Sequence, residues 1–333
     1  RGAVVSDAFN VPQGLETEEE WNSVKTYLRP VMISFKECEN VLLEDCLFQN
    51  SPCWNIHPLM CRNVIIDNVT VRNPWYSQNG DGLDVDSCEN VLVINSSFDV
   101  GDDAICIKSG KDEDGRRRGR PCRNLIVDNC IVFHGHGGFV VGSEMSGGVE
   151  NIKVSNCRFL GTDVGLRFKS CRGRGGVVRN IYINDIVMMN IPTEPLLFDL
   201  HYGGKSAVEA AAEGASPFDV AYVEADETTP QFRDIYIKDV VCSGAARAMY
   251  FNGIPEKNIE NIVVENCEIV SVKGADLRYS TGVVLRDVNI MQSEGDGYSV
   301  ANCKDVVIDD CTDSDGKDTP EVFQYNSNNV TIK

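Results

Sequence analysis

Apolar and polar residues alternate in short runs along this chain, and the runs recur. CENVLLEDC (38–46), CRNVIIDNV (61–69), CENVLVINS (88–96), CRNLIVDNC (122–130) and CKDVVIDDC (303–311) share one form: a Cys, then Asn or Asp two places on, then Val or Leu opening an alternating stretch. Looser copies follow at ENIKVSNC (150–157), RNIYINDI (179–186), RDIYIKDV (233–240), ENIVVENC (260–267) and RDVNIMQS (286–293). Taking the Asn or Asp as phase mark, the marks fall at 40, 63, 90, 124, 151, 180, 234, 261, 287 and 305, and most steps lie between 18 and 34 residues. Such a period, with alternation after each mark, predicts one coil of a β-solenoid per repeat, each strand turning one face into a stacked core. The expectation is an all-β chain: a single right-handed parallel β-helix of about ten coils, one domain over residues 1–333, open to further coils ahead of residue 1.

Stacked coils lie about 4.8 Å apart, so equivalent Asn and Cys residues should form ladders along the corners. This bears on the 14 cysteines. Four pairs are eight apart (Cys38/Cys46, Cys53/Cys61, Cys122/Cys130, Cys303/Cys311), and three of these bracket a strand-like run. Eight extended residues span roughly 26 Å, beyond the ~7 Å reach of a disulfide. No CxxC occurs, so neither a zinc site nor a thioredoxin-type motif is supported. The cysteines are expected to be interior fillers. Asn68, Asn95 and Asn329 head glycosylation-type triplets, but their place in or beside repeat strands favours ladder duty.

Two stretches interrupt the period, GKDEDGRRRGRP (110–121) and the segment 202–230, which contains AVEAAAE (207–213), a candidate short helix. Loops leaving a solenoid commonly carry binding. The net charge of -19, from 31 basic and 50 acidic residues, argues against nucleic acid as partner. No apolar run reaches the ~18 residues of a membrane span. Against that acidic background, Lys108 to Arg120 carries six basic and three acidic residues, a local excess of three positive charges. A basic loop beside an acid site would steer a polyanion.

Polar residues that break the alternation fall at similar phase. Asp81 lies 18 after mark 63, Asp102 and Asp103 lie 12 and 13 after mark 90, His136 lies 12 after mark 124, and Arg167 and Lys169 lie 16 and 18 after mark 151. Four consecutive coils thus present carboxylates, an imidazole and two cations along a strip of roughly 14 Å. Gly101 ahead of the Asp102–Asp103 pair predicts a bend that lets both carboxylates approach one cleft. His134 reads as a rim residue, His57 and His201 as turn or packing residues, and Tyr202 as a candidate stacking residue.

NGDGLD (79–84), GDD (101–103), GHGG (135–138) and RFK (167–169), in that order on a β-helix repeat, resemble the polygalacturonases, glycoside hydrolase family 28. KSGKDEDGRRRGRP followed by GHGGFVVGSEMSGG is most similar to the bacterial exo-acting branch. Gly80 stands where a threonine is usual in that family, and Phe168 where an isoleucine is usual. The resemblance implies hydrolysis of α-1,4-galacturonosidic bonds of polygalacturonate, a pectic cell-wall polysaccharide, with inversion, no cofactor or metal, and secreted or periplasmic placement. It implies Asp102 as general acid, Asp81 and Asp103 as the pair activating water, His136 as tuner of the acid, and Asn79, Arg167 and Lys169 as substrate contacts. Arg117, Arg118 and Tyr202 complete the expected substrate-binding set. The chemistry fits, because glycoside hydrolysis needs one protonated and one ionised carboxyl, and crowding raises one pKa. A pectate lyase, which would need calcium ligands and a basic residue as base, and a non-catalytic adhesin remain alternatives, as do endo action and rhamnogalacturonan or xylogalacturonan substrates.

Overall fold

The computed structural model describes residues 17, 19, 20, 29–203, 218–314, 316 and 319–333. Strands dominate, and nearly every pairing is parallel and joins a strand to its equivalent one repeat later. Ile33–Lys36 pairs with Ile56–Leu59, which pairs with Leu83–Asp86, then Asp103–Lys108, Ile131–Gly142 and Thr162–Lys169 in turn. The repeat strands stack likewise, Glu39–Glu44 on Arg62–Asp67 on Glu89–Ile94 on Cys122–Asp128 on Val149–Phe159. The architecture is a parallel β-helix.

The phase marks have a backbone cause. All ten residues, Asn40 to Asp305, sit in the left-handed region with φ between 51° and 60°, which Asn and Asp tolerate better than other non-glycine residues. A second left-handed corner follows at Asp45, Asn68, Asn95, Asn129 and their equivalents. Their side chains bond coil to coil: Asn63 Nδ2 donates to Asn40 Oδ1 (3.0 Å), Asn90 to Asn63 (3.1 Å), Asn124 to Asn90 (3.1 Å) and Asn151 to Asn124 (3.3 Å). Asn68, Asn95 and Asn329 make such bonds too, to Asp45, Asp67 and Asp305.

Inward positions form one continuous core of Val, Ile, Leu and Phe. Cys61, Cys88 and Cys122 fill one slot of successive coils, and each thiol donates to a carbonyl of the coil before, Phe35, Pro58 and Val85 respectively. The cysteines are unbridged. Phe168, in place of the usual isoleucine, stacks on Phe198 with ring centroids 4.5 Å apart.

The interruption at 110–121 is not the loop expected from its sequence. Asp112–Arg118 forms a helix, with three acidic residues in its first turn and three arginines in its last, a distribution that complements the helix dipole. AVEAAAE lies outside the described residues. Among the described residues, no helix is long and apolar enough to cross a membrane.

Candidate active site

Gly101 explains how neighbouring aspartates serve one cleft. A Cβ at this position would lie 2.5 Å from Ser77 Oγ and 2.6 Å from the Pro74 carbonyl, so only glycine lets the chain bend that tightly. Asp102 stays in the bend, where its Oδ1 accepts the Asp103 N–H (2.9 Å), and Asp103 opens the strand Asp103–Lys108. Two backbone bonds lock the adjacent coils to this corner, Gly82 N–H to the Asp103 carbonyl and His136 N–H to the Asp102 carbonyl, each 2.9 Å. The same kind of crowding accounts for Gly80, where a Cβ would lie 1.9 Å from Ser77 Oγ.

Carboxylate oxygens of Asp81, Asp102 and Asp103 lie within 4.8 Å of one another. Side-chain exposure separates them: 19% for Asp102 against 4% for Asp81 and 2% for Asp103. Asp102 faces the open side, and the other two form the floor. His136 Nδ1 lies 3.2 Å from Asp102 Oδ1, and its Nε2 lies 3.8 Å from Asp163. Lys169 Nζ bonds Asp103 Oδ2 at 2.6 Å, and Arg167 Nη1 reaches Asp103 Oδ1 at 3.3 Å. Tyr202 completes the group, its ring centroid 5.0 Å from Lys169 Nζ and 5.7 Å from the Arg167 guanidinium carbon.

The electrostatics divide the trio differently from the expectation that crowding would hold the proton on Asp102. Burial, then the charge of Asp84, push the Asp81 carboxyl well above the usual range, while Lys108 opposes the rise. Burial also pushes Asp102 upward, but the hydrogen bond and charge of His136 outweigh it and leave the carboxyl below its ordinary value. The same bond raises His136 above its usual pKa. The His136–Asp102 contact thus favours a charged imidazole beside a charged carboxylate, and Asp81 is the floor carboxyl with raised proton affinity.

Other expected residues have partners of their own. Asn79 accepts from Arg29 Nη2 at 2.7 Å. Arg118 is tied to Asp86 (3.4 Å) and Asp114 (2.6 Å), and Arg117 projects outward, 79% exposed, with Asp114 at 3.5 Å. Arg116 bonds the carbonyls of Gly173 and Arg174. Much of the basic run thus fastens the helix to the solenoid, and neither Arg117 nor Arg118 joins the trio. His134 pairs with Asp99, and His201 bonds the Gly253 carbonyl.

Sequence reasoning missed a second charged group beside the trio. Lys108 Nζ lies 3.1 Å from Asp84 Oδ1, 3.1 Å from Glu144 Oε2 and 3.9 Å from Asp81 Oδ2, and 3.9 Å from the centroid of the Trp54 ring. The signal was available. Asp84 and Lys108 occupy outward positions of strands whose inward positions are Leu83, Val85, Ile105 and Ile107.

The sequence profile of Glycosyl hydrolases family 28 matches residues 17–246. The chain belongs to glycosyl hydrolase family 28. Within that family it is 29% identical over 244 residues to a probable polygalacturonase of Vitis vinifera, covering 73% of this chain and 47% of the relative. An exo-poly-alpha-D-galacturonosidase of Dickeya chrysanthemi is 27% identical, covering 76% of this chain and 39% of its own length. The family 28 chain thus spans about half or less of these relatives. Among solved structures, the exopolygalacturonase of Thermotoga maritima superposes with a TM-score of 0.69 at 32% identity, over 80% of this chain and 56% of that one. The exopolygalacturonase of Yersinia enterocolitica shares the fold, with a TM-score of 0.63 at 22% identity over 94% of this chain and 50% of its own.

Proposed function

We propose that this chain is a polygalacturonase that hydrolyses α-1,4-galacturonosidic bonds of polygalacturonate, with inversion and from a chain end. The observation that carries the reading is the trio itself, three carboxylates within 4.8 Å in a family 28 chain, one facing the open cleft and two on its floor. Asp102 protonates the leaving glycosidic oxygen and draws its proton from the pair it forms with His136. A water held between Asp81 and Asp103 attacks the anomeric carbon from the opposite face and gives up its proton to Asp81. Raised proton affinity suits Asp81 to that task, because a carboxylate that binds its proton more tightly is the stronger base once ionised. Arg167, more exposed than Lys169, meets the carboxylate of the sugar, and Lys169 holds Asp103 from below.

Carboxyl separations of about 5 to 5.5 Å go with retention in two-carboxylate glycosidases, and inversion with roughly 6.5 to 9.5 Å. Here a third carboxylate supplies the division of labour that a longer gap gives to two. The pair on the floor can hold a water while Asp102 acts as acid, and no covalent nucleophile is required.

Exo action is supported by the names of the Thermotoga and Dickeya relatives and by the helix Asp112–Arg118, fixed to Asp86 at the end of the strand that follows Asp81. The substrate lies outside the cell, so the proposal includes secretion or periplasmic placement. It also includes the right hand of the solenoid and its count of about ten coils, since crossovers between parallel strands are right-handed in about 98% of cases. The test pairs two readouts on polygalacturonate. Reducing ends should appear steadily while viscosity falls slowly and mono- or digalacturonate accumulates. An early collapse of viscosity would refute exo action, and binding without new reducing ends would refute hydrolysis.

A further inference from the structure

The floor of the cleft contains more charge than the reaction uses. Asp81 and Asp84 lie three residues apart around the start of the strand Leu83–Asp86, both buried, Asp84 completely. Lys108 comes from the next coil, where it is the register partner of Asp86, two positions after the Cys106–Asp84 pair. Its side chain is 7% exposed, and it faces Asp84, Glu144 and Asp81 while its ammonium lies against the Trp54 ring. Burying a lysine is unfavourable unless carboxylates surround it, and burying adjacent carboxylates is unfavourable unless a cation joins them. The arrangement satisfies both conditions at once, beside the residue that must accept a proton.

We infer that Lys108 is a positioning residue for the reaction, fixing the charge and orientation of Asp81 through a cation shared with Asp84 and Glu144. The inference rests on the hydrolase reading above. In that step a water O–H bond breaks and its proton goes to Asp81, the water oxygen bonds the anomeric carbon, and the glycosidic oxygen leaves with the proton of Asp102. Asp81 can accept only when ionised. Asp84, Asp102 and Asp103 oppose its charge and Lys108 favours it, while Asp84 in turn faces Lys108, His57 and Asp103. Lys108 itself faces Asp84, Cys106, Asp81 and Glu144. Lys108 does not touch the sugar in this scheme, so its loss should appear in kcat and in the acidic limb of the pH profile more than in KM.

The experiment uses the whole chain with trigalacturonate as substrate. Lys108→Met should lower kcat at least ~10²-fold, on the scale of a displaced general base, with KM changed less than about threefold. The acidic limb of kcat/KM should move up by about one pH unit or more, the size of shift an adjacent opposite charge produces. Lys108→Arg should restore the limb. Should Lys108→Met fail to fold, Asp84→Asn gives the opposite sign. Removing a like charge beside Asp81 should move the limb downward while circular dichroism stays native. An unmoved limb in a folded Lys108→Met or Asp84→Asn variant of an active enzyme would overturn the inference. Absence of any hydrolysis by the wild-type chain would overturn the functional reading instead.

Discussion

Two adjacent aspartates of this site, Asp102 and Asp103, have different charged partners. Asp102 meets an imidazole and Asp103 meets an ammonium and a guanidinium, although the two share one bend. The consequence concerns the alkaline side of the activity profile. In the wild type the proton of the His136–Asp102 pair is held by an imidazole whose pKa is raised by the Asp102 hydrogen bond. His136→Ala removes that reservoir and leaves Asp102 to hold its own proton, so the alkaline limb of kcat/KM should move to lower pH. In the same variant the Asp102 carboxyl, no longer depressed by His136, should titrate higher than in the wild type. Both shifts can be followed, one by pH-dependent kinetics and the other by carboxyl 13C NMR; an unchanged alkaline limb would remove His136 from proton delivery. Asp81, Asp102, Asp103, His136, Arg167 and Lys169 were all legible in the sequence, because a similar phase after each mark, 12 to 18 residues on, and four ordered motifs set them together. Asp84 and Glu144 were passed over, and Lys108 was counted only with the basic run, since a lone charged residue reads as solvent-facing until the neighbouring coil that buries it is in place.

Elements of this solenoid are defined less by their strands than by their corners. The Asn and Asp marks were readable as a ladder, but the alternation alone did not reveal that they adopt left-handed φ. That conformation is why these two residue types recur. Asn90 tests the point, with φ of 60° and bonds to Asn63 and from Asn124 of 3.1 Å each. Asn90→Ala loses both bonds, at about 0.5 to 1.5 kcal/mol each where buried and less at this exposed corner, and adds about 1 to 2 kcal/mol of backbone strain. Asn90→Gly loses the bonds alone. The denaturant midpoint of the glycine variant should fall between those of wild type and alanine variant, and equal midpoints for the two variants would show that the side-chain ladder, not the corner, governs stability. The helix Asp112–Arg118 was illegible for a related reason. Its glycine and dense charges favour a loop, and the ties of Arg116, Arg118 and Asp112 to other coils hold the short helix in place.

On the scale of the whole molecule, a chain of net charge -19 is proposed to bind a polyanion. The solenoid resolves the conflict by segregation, gathering Lys108, Arg167 and Lys169 on the strands that form the cleft floor, each already matched to a carboxylate. Of the basic run, Arg116 and Arg118 hold the helix to other coils, while Lys111, Arg117 and Arg120 stay exposed. What the molecule does then depends on whether the trio divides its labour as proposed. The direct measurement is a proton NMR time course of trigalacturonate hydrolysis by the wild-type chain, watching the anomeric signal of the newly formed reducing end. Inversion at the α-linked substrate predicts that the β signal appears first and the α signal follows only by mutarotation. An α signal first would contradict the water-holding pair of Asp81 and Asp103, and no new anomeric signal at all would contradict hydrolysis itself.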